Sequence, residues 1–138
     1  VHGIEDLPSL LPQQDIVVLL TPLTEATRGL VDAAFLAALP DGALLVNVAR
    51  GPVVDTDALL AEVATGRLRA ALDVTDPEPL PADHPLWRTS GVLIAPHVGG
   101  AGDTFRPRMV RLLRDQLNRY AAGEPLLHVV AGPGMLGE

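Results

Sequence analysis

Asp15-Ile16-Val17-Val18-Leu19-Leu20, closed by Thr21-Pro22, sets five apolar residues in unbroken succession behind one acid. A strand with one wet face alternates polar and apolar residues, whereas a strand buried on both faces does not, so this run reads as a buried strand. Runs of the same kind recur downstream. Ala43-Leu44-Leu45-Val46-Asn47-Val48 follows a helically spaced segment, Asp32 to Leu39, that stops at Pro40-Asp41-Gly42. Arg69-Ala70-Ala71-Leu72-Asp73-Val74 follows a segment with Asp55 at a helix N-cap, Leu59, Leu60 and Val63 as an apolar stripe, and Gly66 placed for a left-handed stop. Gly91-Val92-Leu93-Ile94 follows a proline-rich loop, Thr75 to Ser90. A last helix is expected from Asp103 or Thr104 to Gly123, bent early by Pro107, with Met109, Val110, Leu113, Leu117 and Tyr120 on one side. Strands alternating with helices predict an α/β fold: one open parallel sheet, its strands joined by right-handed crossovers, with helices on both faces.

Composition agrees with one such domain. The 138 residues are 48% apolar and only 3% aromatic, so the core is built from Leu, Val, Ile and Ala. A net charge of −7 argues against nucleic acid as a partner, and the five arginines between Arg106 and Arg119 read as a solvated helix face. With no cysteine there is no disulfide framework, thiolate metal site or cysteine nucleophile. The four histidines are scattered without metal-ligand spacing, and no stretch reaches the roughly 18 apolar residues of a membrane span or resembles a signal peptide. No metal and no membrane partner are expected, and a cytoplasmic location is the default.

In an open parallel sheet, ligands bind beyond the carboxyl ends of the strands, because those ends feed the loops along a single edge. That edge collects Thr21-Pro22 after the first strand, Asn47 and Arg50-Gly51 after the second, Asp73 and Glu78 at and beyond the third, and His97 with Gly99-Gly100 beyond the fourth. Arg, Glu and His together suit reduction of a 2-keto acid. A guanidinium clamps a carboxylate bidentately, an imidazole supplies a proton to the carbonyl oxygen, and a carboxylate orients that imidazole and stabilises its protonated ring. Taken singly, each residue also fits a structural role. Arg50 suits capping a helix or pairing with Asp55, Glu78 suits a solvated loop carboxylate, and His97 suits a satisfied loop histidine. Asp73, at the end of an apolar strand, needs a partner to offset its desolvation. Gly132-Pro133-Gly134-Met135-Leu136-Gly137 matches G-x-G-x-x-G, but only Glu138 follows it, so it reads as tail rather than as a phosphate loop.

Several motifs in register resemble the D-isomer-specific 2-hydroxyacid dehydrogenase family: Asp15 to Thr24; Asn47-Val48-Ala49-Arg50-Gly51 with Val54-Asp55 and Ala58-Leu59; Ala71-Leu72-Asp73-Val74 followed by Glu78-Pro79; His84-Pro85-Leu86; and Pro96-His97-Val98-Gly99-Gly100. The resemblance spans most of residues 7 to 130 and implies an incomplete Rossmann-like, doubly wound sheet. It implies that Arg50 binds and polarises the keto acid, that His97 is the acid or base at C2, and that Glu78 is its partner. It further implies a cofactor, NAD or NADP, bordered by Thr21, Pro22, Val48, Ala49, Arg50 and His97, with Asp73 bonded to the nicotinamide carboxamide and Gly99 and Gly100 allowing its close approach. Glu78 argues against the formate dehydrogenase branch, where Gln usually stands. Thr75, where the family is often aromatic, and Gly102-Asp103 depart from the usual pattern.

The resemblance also sets the expected organisation. Residues 1–122 form a partial dinucleotide-binding domain and 123–138 a C-terminal tail, with the substrate domain, the first strand and the glycine-rich loop lying upstream. The 138 residues alone are therefore expected to be inactive, and with one edge of the Asp15–Leu20 strand unpaired they are expected to self-associate or to be poorly stable. Within the family's range the partner is a small 2-keto or 2-hydroxy acid and the assembly a homodimer. The alternative is a dinucleotide-sensing interaction module of the corepressor type.

Overall fold

The computed structural model describes residues 2–129, which divide into two compact units between Gly99 and Gly100. The glycine-patterned residues 132–137 lie outside the described residues, as does the end of the expected tail.

The first unit holds four strands, β1 (Ile16–Leu19), β2 (Leu44–Asn47), β3 (Arg69–Leu72) and β4 (Val92–Ile94), in the order β1-β2-β3-β4, all parallel. All four lie inside the runs expected to form them, each shorter than its run by one or two residues. Three helices belong to this unit: α1 (Leu7–Leu10), α2 (Ala33–Ala37) and α3 (Thr56–Ala64). Register fixes which side chains share a face. Leu19, Asn47, Leu72 and Ile94 form one row across the sheet, and Val18, Val46, Ala71 and Leu93 form the row before it on the opposite face.

The first face is the core. Leu19, Leu45, Ala70 and Leu72 pack with Phe35 and Leu36 of α2, Leu59 and Val63 of α3, and Leu39 and Leu68 from the connections. Leu36, Leu45, Leu59 and Leu68 are fully buried, and truncating any one to Ala costs about 2–5 kcal/mol. The α/β parallel sheet is as expected, and α2 and α3 both cover this core face. Strands added in one direction by crossovers of one hand place their helices on the same side, which is why Ile16, Val18 and Leu93 on the other face remain exposed.

Local chemistry sets the helix ends. Asp32 accepts the Phe35 amide (2.8 Å) and Asp55 accepts the Ala58 amide (2.9 Å), N-caps worth about 1 kcal/mol each. Gly66, at φ 77°, takes the left-handed turn that ends α3. Arg67 then reaches back across the unit, donating to the carbonyls of Leu36 (2.7 Å) and Leu39 (2.8 Å) at the end of α2 and to Glu62 of α3 (2.5 Å). The Glu62 hydrogen bond is the main reason its guanidinium pKa lies above the usual arginine value.

In the second unit, α4 (Phe105–Ala121) runs as one continuous helix through Pro107, which was expected to bend it. Pro107 is its third residue, where the backbone N–H has no partner inside the helix in any case. Gln116 pins the segment that follows: its side chain accepts the Leu127 amide (2.9 Å) and donates to the Leu127 carbonyl (2.5 Å). Among the described residues no helix is long and apolar enough to cross a membrane, and no group of three or more His, Asp or Glu side chains is placed to hold a metal.

Candidate functional site

All four strands being parallel, their carboxyl ends open on one edge, and each sequence-predicted residue of the first unit stands there. His97 and Glu78, 19 positions apart, meet: the imidazole Nδ1 lies 2.6 Å from Glu78 Oε1. Glu78 is therefore a partnered carboxylate and not merely a solvated one. With Nδ1 engaged, Nε2 is the ring nitrogen left to exchange a proton.

The backbone of His97 is in the left-handed region, φ 54°, a conformation that costs a non-glycine residue roughly 1–2 kcal/mol. Asp73 holds it there. The His97 amide donates to the Asp73 carbonyl (2.9 Å), and the Asp73 carboxylate accepts the amide of Val98 on one oxygen (2.8 Å) and that of Gly99 on the other (2.9 Å). This is the partner that a carboxylate at the end of an apolar strand requires. A Cβ at Gly99 would stand 2.8 Å from Asp73 Oδ2, so a side chain there would have to displace the carboxylate that holds this loop.

Asp73, Thr75, Glu78, Trp87, Ile94 and His97 line a pocket of about 340 Å³. Trp87 was missed in the sequence because it sits in an aperiodic, proline-rich loop; the available signal was that it is the only tryptophan in the chain. Its indole N–H donates to the Pro81 carbonyl (2.8 Å), which orients the ring at the pocket wall. A larger hollow of about 480 Å³, bordered by Arg28, Asp55, Asp76 and His84, contains none of the residues singled out for chemistry. We place the site at the smaller pocket because that is where the His97–Glu78 pair lies.

Arg50 follows β2 and is exposed, its guanidinium donating to the Ala49 carbonyl (2.6 Å). Among the described residues it forms no ion pair. Asp55, offered above as its possible partner, is engaged in capping α3. Arg50 does not line the His97 pocket; it stands at the end of the second strand of the same edge. Val48 is exposed and Ala49 buried in the turn leading to it.

Asn47, named at this edge but given no role, is the buried polar residue that holds this turn. Its side chain accepts the Ala49 amide (3.0 Å) and donates to the Arg50 carbonyl (3.1 Å). A buried amide in an otherwise apolar run was the signal. At the end of β1, Pro22 accepts a hydrogen bond from Thr27 (2.6 Å), while the buried hydroxyl of Thr21 has no hydrogen-bond partner among the described residues. Gly100 leaves open space where a side chain would stand.

Comparison with known proteins gives this geometry relatives. Residues 1–99 match the family described as D-isomer specific 2-hydroxyacid dehydrogenase, NAD binding domain. A D-isomer specific 2-hydroxyacid dehydrogenase from Xanthobacter autotrophicus Py2, solved in complex with NADPH and MES, is 45% identical with a TM-score of 0.80, over 95% of this chain and 54% of that one. Human glyoxylate reductase/hydroxypyruvate reductase is 40% identical over 86% of this chain and 37% of its own length. A mitochondrial formate dehydrogenase of Hordeum vulgare is 37% identical over 87% of this chain and 32% of its own. The chain thus spans well under half the length of these two curated relatives.

Proposed function

The chain belongs to the D-isomer specific 2-hydroxyacid dehydrogenase family, and on that footing we propose that the whole protein transfers hydride between NAD(P)H and C2 of a small 2-keto or 2-hydroxy acid. The observation that carries this reading is the 2.6 Å contact between His97 Nδ1 and Glu78 at the carboxyl edge of a parallel sheet.

A nicotinamide dinucleotide fits the residues present. The buried hydroxyl of Thr21, without a partner among the described residues, offers it a hydrogen bond, and Gly99 and Gly100 present no side chain to obstruct it. Thr21, Pro22, Val48, Ala49, Asp73, Gly99 and Gly100 would border it, and when bound it supplies or accepts the hydride. Arg50 carries a planar fork suited to the substrate carboxylate and keto oxygen. In the reducing direction His97 Nε2 gives its proton to the keto oxygen as C2 gains the hydride; in the oxidising direction it takes the proton from the 2-hydroxyl. Glu78 holds Nδ1 throughout, so the ring neither turns nor changes its free nitrogen. Glu78 also favours a 2-keto acid over formate as substrate. We place the enzyme in the cytoplasm as a homodimer with no nucleic-acid or membrane partner; the charge of −7 supports the exclusion of nucleic acid.

The test is oxidation of NADH and NADPH by the whole protein against glyoxylate, hydroxypyruvate and bulkier 2-keto acids, with His97→Gln beside it. Turnover that falls about 10²–10⁴-fold in the variant is expected, the usual worth of a positioned acid. Cofactor binding without turnover, or equal rates in both proteins, would overturn the assignment.

A further inference from the structure

We propose that Asn47 is a positioning residue that shapes the Arg50 turn and registers it against the His97 loop; the inference rests on the dehydrogenase reading above. Asn47 is only 1% exposed, in a row whose β1 and β3 members are Leu19 and Leu72. A primary amide there is costly unless both its ends are bonded, and an aliphatic residue would pack the row without that cost. Both ends are bonded, and to one object. The oxygen takes the Ala49 amide and the nitrogen gives to the Arg50 carbonyl, so the side chain closes the turn that launches Arg50.

The same residue also meets the other half of the site. The Asn47 carbonyl accepts the Asp73 amide (2.9 Å), the Asp73 carbonyl accepts the His97 amide (2.9 Å), and the Asp73 carboxylate fixes Val98 and Gly99. A hydrogen-bonded path thus runs from the Arg50 turn through Asn47 and Asp73 to His97; its Asn47–Asp73 and Asp73–His97 links are main-chain bonds, and what the Asn47 side chain adds is the closure of the Arg50 turn at the head of that path. Few other side chains serve. An aliphatic residue strands the Ala49 amide in a buried turn, and Asp sets an oxygen against the Arg50 carbonyl. Asn47 does not touch the reacting atoms; it acts through Arg50.

The test is a double-mutant cycle in the whole protein, Asn47→Ala and Arg50→Ala singly and together, with kcat and KM measured for the keto acid that the native protein turns over best. Displacing a substrate clamp by about an ångström costs ten- to a hundredfold, so Asn47→Ala should lower kcat/KM by ~10-fold or more when Arg50 is present. On the Arg50→Ala background, read in single turnovers, it should cost less than about threefold, because the group it positions is gone. Affinity for the cofactor that the native protein uses, measured by calorimetric titration, should change less than kcat/KM. Asn47→Ser replaces Asn47→Ala if the latter does not fold. Equal losses on both backgrounds would reveal a merely structural residue, and no loss on the native background would show that the turn holds itself; either overturns the proposal. A native protein inert toward every keto acid would instead refute the dehydrogenase reading, and the inference would fall with it.

Discussion

Replacing Asp73 with Asn removes a charge while keeping shape, and the structure allows its effect to be worked out. Left-handed His97 costs roughly 1–2 kcal/mol. Against this stand the carboxylate's bonds to the amides of Val98 and Gly99, charge-assisted but partly exposed, so each is taken at the low end of about 1.5 kcal/mol. Together they give about 3 kcal/mol, enough to hold the strained residue. Asn keeps one acceptor oxygen, worth about 1 kcal/mol, and turns its NH₂ toward the remaining amide, a donor facing a donor. The restraint then falls by about 2 kcal/mol and no longer exceeds the strain, so the fraction of molecules with His97 in its geometry against Glu78 should fall from nearly all to about half or less, and kcat should fall about two- to fivefold. Keto-acid reduction at saturating cofactor measures the rate, and amide exchange read by NMR at Val98 and Gly99 measures the restraint. Both should change, the two amides exchanging faster by about five- to fifteenfold because exchange follows the released fraction, which starts small. A loss of rate with exchange unaltered would refute the argument and assign the effect of Asp73 to cofactor contact instead.

Two further outcomes follow from packing. A Cβ at Gly51 would overlap the backbone carbonyl of Thr75, so Gly51→Ala should destabilise by about 1–3 kcal/mol, seen as a lower urea midpoint; an unchanged midpoint would mean that the Thr75 loop yields freely. Arg67→Met leaves the Leu36 and Leu39 carbonyls without their donor and should cost about 2–4 kcal/mol. A raised guanidinium pKa means that this stabilisation is complete at every pH below the ordinary arginine value and is lost only as pH rises through the folded one. The urea-midpoint difference between the native protein and the Arg67→Met variant should therefore be the same at about pH 7 and about pH 10, both below that window, and a difference that shrinks at the higher pH would contradict it.

The sheet was legible because buried parallel strands advertise themselves as continuous apolar runs, and the two helix starts because Asp32 and Asp55 are acids placed where orphan amides need an acceptor. The short turns and α1 between Ile4 and Gln13 were not, since they are too brief for a period to register and carry Pro8 and Pro12. Glu78 and His97 were named from the strand-end edge and the chemistry of an imidazole with its carboxylate, and again from motifs in register, but no spacing rule would have shown that their two loops bring them into contact. Asp73 was read as needing a partner for its charge and as bonded to the cofactor; that its oxygens bond the amides of Val98 and Gly99 is visible only once the chain is folded. Asn47 was named at the edge and in the motif with Arg50 but given no role, because the two bonds by which its buried side chain closes the Arg50 turn form only in the folded chain.

That all four strands release their loops on one edge has a consequence for how such a protein diversifies. Thr75 and Trp87 line the pocket but stand outside the buried cluster of Leu36, Leu45, Leu59 and Val63. On the proposed reading a lineage can exchange them, and with them the acids it accepts, while the residues that keep it folded stay untouched. Leu80 and Asn47 are where that independence ends. The first lines the pocket and belongs to the core, and the second is buried in the sheet and tied to the Arg50 turn. Drift at either is subject to two selections at once, so these positions should change last as relatives acquire new substrates.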